Sequence, residues 1–239
     1  MKIFLENRIP IKMWADKIEK GALGQARNLA SLPFAFKHIA LMPDVHTGLG
    51  MPIGGVLATK GVVVPNAVGV DIGCGMCAVR TSLRVKDISR KSISRVISLV
   101  KDCVPVGFDH HAEMQDESLL PEGYDLETLP YVKNLLMAAR KQIGTLGGGN
   151  HFIEIQKSTD GEVWIMIHSG SRNIGKKVAE RYGKIAKMLN ERWYSDVVEG
   201  LEFLPIEAPE AQNYWREMNW CVDFALCNRK RIMEQVCEA

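Results

Sequence analysis

Glycine-rich turns that interrupt short apolar runs limit most strongly which folds this chain can adopt. The first 80 residues are dense in Gly, Val, Ile and Pro. Such runs, bounded by turn residues, predict short strands rather than helices. Two more apolar runs follow later, separated by an Asp-Gly pair that is typical of a hairpin. The predicted strands cover residues 34–42, 53–59, 76–83, 150–155 and 163–168.

Helical spacing of apolar residues marks the stretches outside these strands. Ile93, Val96, Ile97 and Val100 recur at helical intervals, and Pro105 ends the pattern. Further helices are predicted around residues 132–139, 178–189 and 214–236. Residues 102–127 carry eight carboxylates and no Lys or Arg, which predicts a solvated connection. Strands in two clusters with segregated helices favour an α+β fold with a large mixed β-sheet and flanking helices.

The composition excludes several classes of protein. Apolar residues make up 46% and charged residues 24% of the 239 residues, which is an ordinary globular balance. A net charge of +2 argues against a bulk nucleic-acid coat protein, although a local basic groove stays open. Six cysteines are too few for a disulfide scaffold. The sequence has neither a membrane-spanning apolar run nor a signal-peptide stretch, so we expect a cytoplasmic protein without a membrane partner.

Residues that can bind metals stand where predicted strands meet glycine turns. They are His46, Asp71, Cys74, His151 and His168. Glycine permits positive φ angles and close backbone approach, which leaves room for an ion or a phosphate beside the main chain. Alternation along residues 163–168 also places His168 at a strand tip, on the face opposite to Val163, Ile165 and Ile167. A histidine there can leave the core and reach a site.

Asp71 and Cys74 are three residues apart and are separated by a glycine. A carboxylate and a thiol at this spacing can bind one cation, and added histidines can build a two-metal centre. The donor types leave the metal open, because thiolate and imidazole favour Zn²⁺ while a carboxylate accepts Mn²⁺ or Mg²⁺. The glycine turn before Asn150 and the segment of residues 169–175 with Arg172 are two candidate phosphate-binding turns.

Four sequence blocks together resemble the RtcB family of GTP-dependent RNA-splicing ligases. They are KHIALMPDVH at residues 37–46, VGVDIGCGM at 68–76, GTLGGGNHFIEI at 144–155 and IHSGSR at 167–172. The resemblance implies an α+β fold with a large mixed sheet. It also implies ligation of RNA 2′,3′-cyclic phosphate or 3′-phosphate ends to 5′-hydroxyl ends, as in tRNA splicing and RNA repair. The implied partners are GTP and RNA, either tRNA halves or other cleaved RNA ends.

The resemblance also implies a set of site residues. Two Mn²⁺ ions are expected, with Cys74 bridging both, Asp71 and His151 completing one ligand set, and His168 belonging to the other. Asn150 resembles the residue that contacts the GTP phosphates. The remaining implied residues are Phe152 and Glu154 in a guanine pocket, and Asp44 and His46 as supporting residues near the RNA ends or the metals.

In the implied mechanism a cyclic phosphate is first opened to a 3′-phosphate. A histidine then attacks the α-phosphate of GTP, and GMP passes to the RNA 3′-phosphate before the 5′-hydroxyl displaces it. The family carries that histidine in a His-Gly-Ala-Gly-Arg segment, which these 239 residues lack. We therefore expect residues 1–239 to be one domain, incomplete at its C-terminus, that holds the metal-binding half of the site. The catalytic histidine is expected beyond residue 239, and the chain alone is expected to be inactive.

Two alternatives stay open at this point. The chain can be a non-catalytic module that binds RNA ends or pairs with a partner, such as a second copy or a complementing C-terminal half. It can also be a metal-dependent cyclic phosphodiesterase that uses the same ligands with water as the nucleophile. Zn²⁺ would substitute for Mn²⁺ in such a site.

Overall fold

The computed structural model describes residues 1–239, and its contacts divide the chain into two compact units. The first unit contains Met1–Val70 and Ala179–Trp215, and the second contains Asp71–Val178 and Arg216–Ala239. Nine strands form three separate sheets, and seven α-helices accompany them, which confirms the α+β class. A single domain over residues 1–239 stays a prediction.

A mixed four-stranded sheet organises the first unit, in the order β1-β2-β3-β4. β2 and β3 are parallel, and the crossover between them contains helix α1, while the other two pairs are antiparallel. Alanine and leucine side chains at helical spacing form the buried face of α1 and pack with the sheet in one core. The bounds are β1 (Lys2–Phe4), β2 (Ile11–Met13), α1 (Lys20–Ser31), β3 (Ile39–His46) and β4 (Ile53–Val56).

The strands of this sheet differ from the predicted ranges. β3 begins at Ile39 rather than at residue 34, because Lys37 has a left-handed φ of 59° that breaks the extended backbone. It continues to His46 with an irregular register between Leu41 and His46, so it includes the Pro43-Asp44 pair. β4 ends at Val56, and Thr59 makes only an isolated bridge with Ala35.

Smaller elements complete the first unit. They are β5 (Val62–Val63), which pairs antiparallel with β9 (Leu204–Pro205), and helix α2 (Pro65–Val68). Two long helices, α6 (Arg172–Arg192) and α7 (Pro209–Glu238), contribute residues to both units and lie where the sequence predicts helices. No helix of the chain combines the length and the apolar composition needed to cross a membrane.

An antiparallel three-stranded sheet, in the order β6-β8-β7, forms the centre of the second unit. Its strands are β6 (Gly75–Arg84), β7 (Phe152–Lys157) and β8 (Glu162–Ser169). Val163, Ile165 and Ile167 are buried on one face of β8, which confirms the predicted alternation. Ile165 and Ile167 pack in one core with Ile232 and Val236 of α7.

The connections in the second unit are more structured than the sequence predicts. Helix α3 (Arg90–Cys103) is capped by Ser89, as the helical pattern requires. The helix predicted around residues 132–139 is two helices, α4 (Pro130–Lys133) and α5 (Leu136–Gln142). Residues 102–127 are mostly exposed, as predicted for a solvated connection, but they are anchored, because Leu120 is buried and Tyr124 donates a hydrogen bond to Asp223 of α7.

Candidate metal centre

Three strand ends bring three predicted ligands to one end of the second unit's sheet. Cys74 directly precedes β6, His151 directly precedes β7, and His168 is the penultimate residue of β8. Because β8 runs antiparallel to both neighbours, its last residues lie beside the first residues of β6 and β7. The antiparallel pairing therefore assembles residues that are up to 94 positions apart in the chain.

The donor atoms of this cluster lie at distances that one cation can span. Cys74 Sγ is 3.1 Å from His168 Nε2 and 3.6 Å from His151 Nε2. His151 Nε2 is 2.9 Å from Asp71 Oδ2. The donor atoms of Asp71, Cys74 and His151 all lie within 4.8 Å of one another. Thiol, imidazole and carboxylate donors that converge in this way fit a divalent transition-metal ion.

Backbone carbonyls orient both imidazoles. His151 Nδ1 donates a hydrogen bond to Leu146 O at 2.9 Å, and His168 Nδ1 donates one to Asn150 O at 3.1 Å. With Nδ1 held by a carbonyl, each ring turns Nε2 toward Cys74 or Asp71, where Nε2 can bind a metal once it carries no proton. This is the usual arrangement of metal-binding histidines, in which the second ring nitrogen is held by an acceptor.

Asp71 approaches the cluster from a tight turn between α2 and β6. Cys74 N donates to Asp71 O at 3.0 Å, and Gly73 has a φ of 76° that favours glycine. The Asp71 carboxylate lies so close to Gly170 that a side chain at that position would collide with it. The glycine after β8 therefore makes room for the acid, which is a role that sequence spacing alone did not reveal.

Electrostatics within the cluster favour a protonated thiol when no metal is bound. Burial and a hydrogen bond with Asp71 raise the pKa of the Cys74 thiol to about 12. Burial by itself raises the pKa of Asp71, but hydrogen bonds from His151 and Cys74 bring that pKa below its usual value. The hydrogen bond with Asp71 raises the pKa of His151. A cation that binds here must therefore displace a proton from sulfur.

Asn228 of α7 holds the turns that carry the ligands, and the sequence analysis missed it. Its side chain is fully buried and accepts hydrogen bonds from Gly144 N and Thr145 N. It also donates to Thr145 O, Ser169 Oγ and Gly170 O, each at 3.1 Å. Nothing in its helical surroundings signals this role, because the partners lie 58 to 84 positions away.

The two candidate phosphate-binding turns are braced by Arg172. Its Nε donates to Thr145 Oγ1 at 2.7 Å, and one terminal nitrogen donates to Gly107 O at 2.9 Å. Gly147, with a φ of 91°, lies against the same guanidinium, where a side chain would collide with it. Arg172 is thus already engaged by protein oxygens, and phosphate binding by these turns stays a prediction.

The residues assigned to GTP lie beside the ligands. Asn150 is exposed, immediately before His151. The Phe152 ring packs against His168 with ring centroids 5.5 Å apart, because the two residues are cross-strand partners. Glu154 is exposed on the same face of the sheet and accepts a 2.6 Å hydrogen bond from Gln156. Their roles in nucleotide binding stay predictions.

Asp44 and His46 belong to the first unit, at the end of β3. Both side chains are exposed, and His46 Nδ1 donates to Asp44 O at 2.8 Å. Their supporting role near the RNA ends or the metals stays a prediction.

Comparison with known proteins identifies the family of this chain. Residues 25–128 and 127–239 match the family model described as tRNA-splicing ligase RtcB. The chain belongs to the RtcB family. The RNA-splicing ligase RtcB of Escherichia coli (strain K12) is 38% identical over 254 residues, which cover 96% of this chain and 60% of that protein.

Archaeal RtcB proteins extend this similarity. The tRNA-splicing ligase RtcB of Thermococcus kodakarensis is 32% identical over 287 residues, which cover 97% of this chain and 59% of the relative. The tRNA-splicing ligase RtcB of Nanoarchaeum equitans is 30% identical over 278 residues. The chain thus spans about three-fifths of the length of the RtcB relatives that it matches.

Proposed function

We propose that this chain carries the metal-binding half of a GTP- and Mn²⁺-dependent RNA ligase. The ligase joins RNA 2′,3′-cyclic phosphate or 3′-phosphate ends to 5′-hydroxyl ends through a guanylylated histidine, in tRNA splicing or RNA repair. Family membership supports the RNA ligase class, and the names of the relatives give RNA as their substrate. The nucleophilic histidine is expected outside residues 1–239, so the chain alone is inactive in this proposal.

The observation that carries the proposal is the convergence of Cys74, His151 and His168 at one end of the sheet. Cys74 Sγ lies 3.1 and 3.6 Å from the two Nε2 atoms, and both imidazoles have Nδ1 engaged by carbonyls. Two close imidazoles and a thiol without a structural disulfide are poorly explained by packing alone. They are well explained by a divalent cation.

Each ligand residue has a separate task in this proposal. Asp71 and Cys74 bring negative charge to the site, and the two imidazoles offer neutral donors. A sulfur can be shared by two ions, so Cys74 would hold both of the proposed Mn²⁺ ions, with His151 and His168 on either side. When bound, the ions neutralise phosphate charge and favour in-line displacement.

The strand β7 and Asn150, two residues before it, supply the proposed nucleotide contacts. Asn150 has an exposed side chain next to the ligands, where its amide can donate to GTP phosphates. Phe152 offers a ring face and Glu154 offers a carboxylate that can accept hydrogen bonds from guanine N–H groups. Because the two residues share a face of the sheet, one base can contact both.

Metal binding by the thiol tests this proposal directly. Cys74→Ala should weaken Mn²⁺ binding, measured by calorimetry on the full chain. Cys77→Ala is the matched control, because Cys77 lies on β6, three residues after Cys74, but packs against the core of the second unit. Equal Mn²⁺ affinities for wild type and Cys74→Ala would rule out the proposed metal centre.

A metal-dependent cyclic phosphodiesterase is the second candidate, and the donor set favours it specifically. Thiolate and imidazole donors suit Zn²⁺, which activates water for hydrolysis. Turnover of an RNA 2′,3′-cyclic phosphate by the zinc-loaded chain without GTP would support this function. No turnover by the chain alone, with GTP-dependent joining to a 5′-hydroxyl end only when a C-terminal half that carries the nucleophilic histidine is added, would support the ligase.

A further inference from the structure

Arg229 of α7 is a buried cation beside the ligand cluster that the proposed reaction does not use. Its side chain is only 9% exposed, and one terminal nitrogen donates to Gly73 O at 2.8 Å and to Ser169 O at 2.9 Å. Gly73 immediately precedes Cys74, and Ser169 immediately follows His168. A single nitrogen atom thus joins the backbone segments on both sides of the 3.1 Å contact between Cys74 Sγ and His168 Nε2.

The Arg229 guanidinium is closely packed against the backbone around Cys74. A side chain built at Gly75 would reach its central carbon at 3.5 Å, so the group lies against the backbone on the other side of Cys74. A side chain at Gly73 would come within 2.8 Å of Ala225 and 2.9 Å of Val222, so α7 packs directly on the turn. The turn that carries Cys74 and the end of β8 are therefore both held by contacts with Arg229.

We propose that Arg229 is a positioning residue that sets the spacing between Cys74 Sγ and His168 Nε2 for a shared cation. The inference rests on the proposed metal centre and adds α7 to it as the element that holds two ligand-bearing segments together. Asn228 reinforces the arrangement, because its bonds join the segment after His168 to the turn before His151. The ligands themselves come from strand ends, whereas their geometry is set by a helix.

Cobalt binding distinguishes a positioning role of Arg229 from a purely structural one, because only loss of positioning should change the Co–S bond. Co²⁺ bound by a thiolate has a near-ultraviolet charge-transfer band, and its intensity reports the Co–S bond. In the full chain, Arg229→Met should raise the Co²⁺ dissociation constant about 10–100-fold, as expected when a residue that orients a ligand is lost. The band of the saturated protein should also weaken. Lys230→Met, which removes an exposed cation from the same helix, should change neither quantity.

A conservative variant separates positioning from folding. Arg229→Lys keeps the charge and one donor group, but its ammonium cannot reproduce the planar guanidinium, so we expect a dissociation constant between wild type and Arg229→Met. Circular dichroism of the metal-free proteins checks that they fold. A folded Arg229→Met with the affinity and band of wild type overturns the proposal. If that variant does not fold, a wild-type affinity in Arg229→Lys overturns it. Absence of cobalt binding in the wild type would instead refute the metal centre.

Discussion

The two motifs that combine aspartate with histidine differ in how far their contacts reach. Asp44 and His46 at the end of β3 are exposed, and the hydrogen bond that links them spans two positions. Asp71 and His151 are 80 positions apart, yet their side chains meet at 2.9 Å. The second motif depends on tertiary structure, because β6, β8 and β7 are adjacent strands of one antiparallel sheet. The first depends only on local strand geometry.

This difference determines which of the two pairs can bind a metal ion tightly. Contacts between distant segments hold the donor atoms of the β6-β8-β7 end in place before an ion binds. Binding therefore costs little side-chain conformational entropy there. An exposed local motif retains side-chain freedom, which a bound ion would have to remove. We therefore expect the affinity for divalent ions to depend on the β6-β8-β7 end of the sheet and not on the end of β3.

Paired histidine variants test that expectation with the largest effect. His168→Ala removes a donor, so it should raise the Mn²⁺ dissociation constant by more than the ~10–100-fold typical of losing a group that only orients a ligand. His46→Ala should leave it unchanged. Calorimetry on both proteins measures the contrast. A comparable loss in His46→Ala would mean that the β3 motif is part of the same metal site, and the distinction between the two motifs would fail.

Paired glycine variants test the close approach of Asp71. Gly170→Ala introduces a methyl group that collides with the Asp71 carboxylate, so the acid must move. We expect the Mn²⁺ dissociation constant to rise about 10–100-fold, because one donor is displaced rather than deleted. Gly148→Ala is the control, since the nearest atom to its methyl group is Gly107 Cα at 3.6 Å, an ordinary contact. Equal affinities in the two variants would show that Asp71 tolerates displacement.

The sequence predicted the candidate ligands that converge at the β6-β8-β7 end, but it did not predict the residues that hold them in place. Alternation along β8 correctly placed His168 at a strand tip, and the Asp160-Gly161 pair joins β7 to β8 as expected. Local patterns suffice there because strand period and turn chemistry are local properties. Asn228 was not predicted, and Gly170 was assigned only to a phosphate-binding turn, because their observed roles arise from packing between distant segments. The predicted start of β3 was wrong because Lys37 has a left-handed φ, which the residue type alone does not signal.

The pH dependence of metal binding gives the smallest and most diagnostic effect. With a pKa of about 12 in the metal-free protein, the Cys74 thiol is protonated at neutral pH, and the metal must release that proton to bind sulfur. One released proton makes the association constant rise about tenfold for each pH unit. The pKa of His151 is raised by Asp71, so imidazole protonation adds a second competing proton as the pH falls. The dependence should therefore be steeper in acid than above neutrality.

Calorimetry in buffers with different enthalpies of ionisation counts these protons directly. Wild type should release about one proton per site, that of the Cys74 thiol, at pH values above the raised pKa of His151, and more at pH values below it. Cys74→Ser has no thiol, so it should lose the proton released from sulfur. It should keep the proton release at low pH that comes from the imidazole. A pH-independent affinity in the wild type would mean that sulfur does not bind the ion. The residues at the β6-β8-β7 end would then form only a hydrogen-bonded cluster, and they would have no better claim to metal binding than Asp44 and His46 on β3.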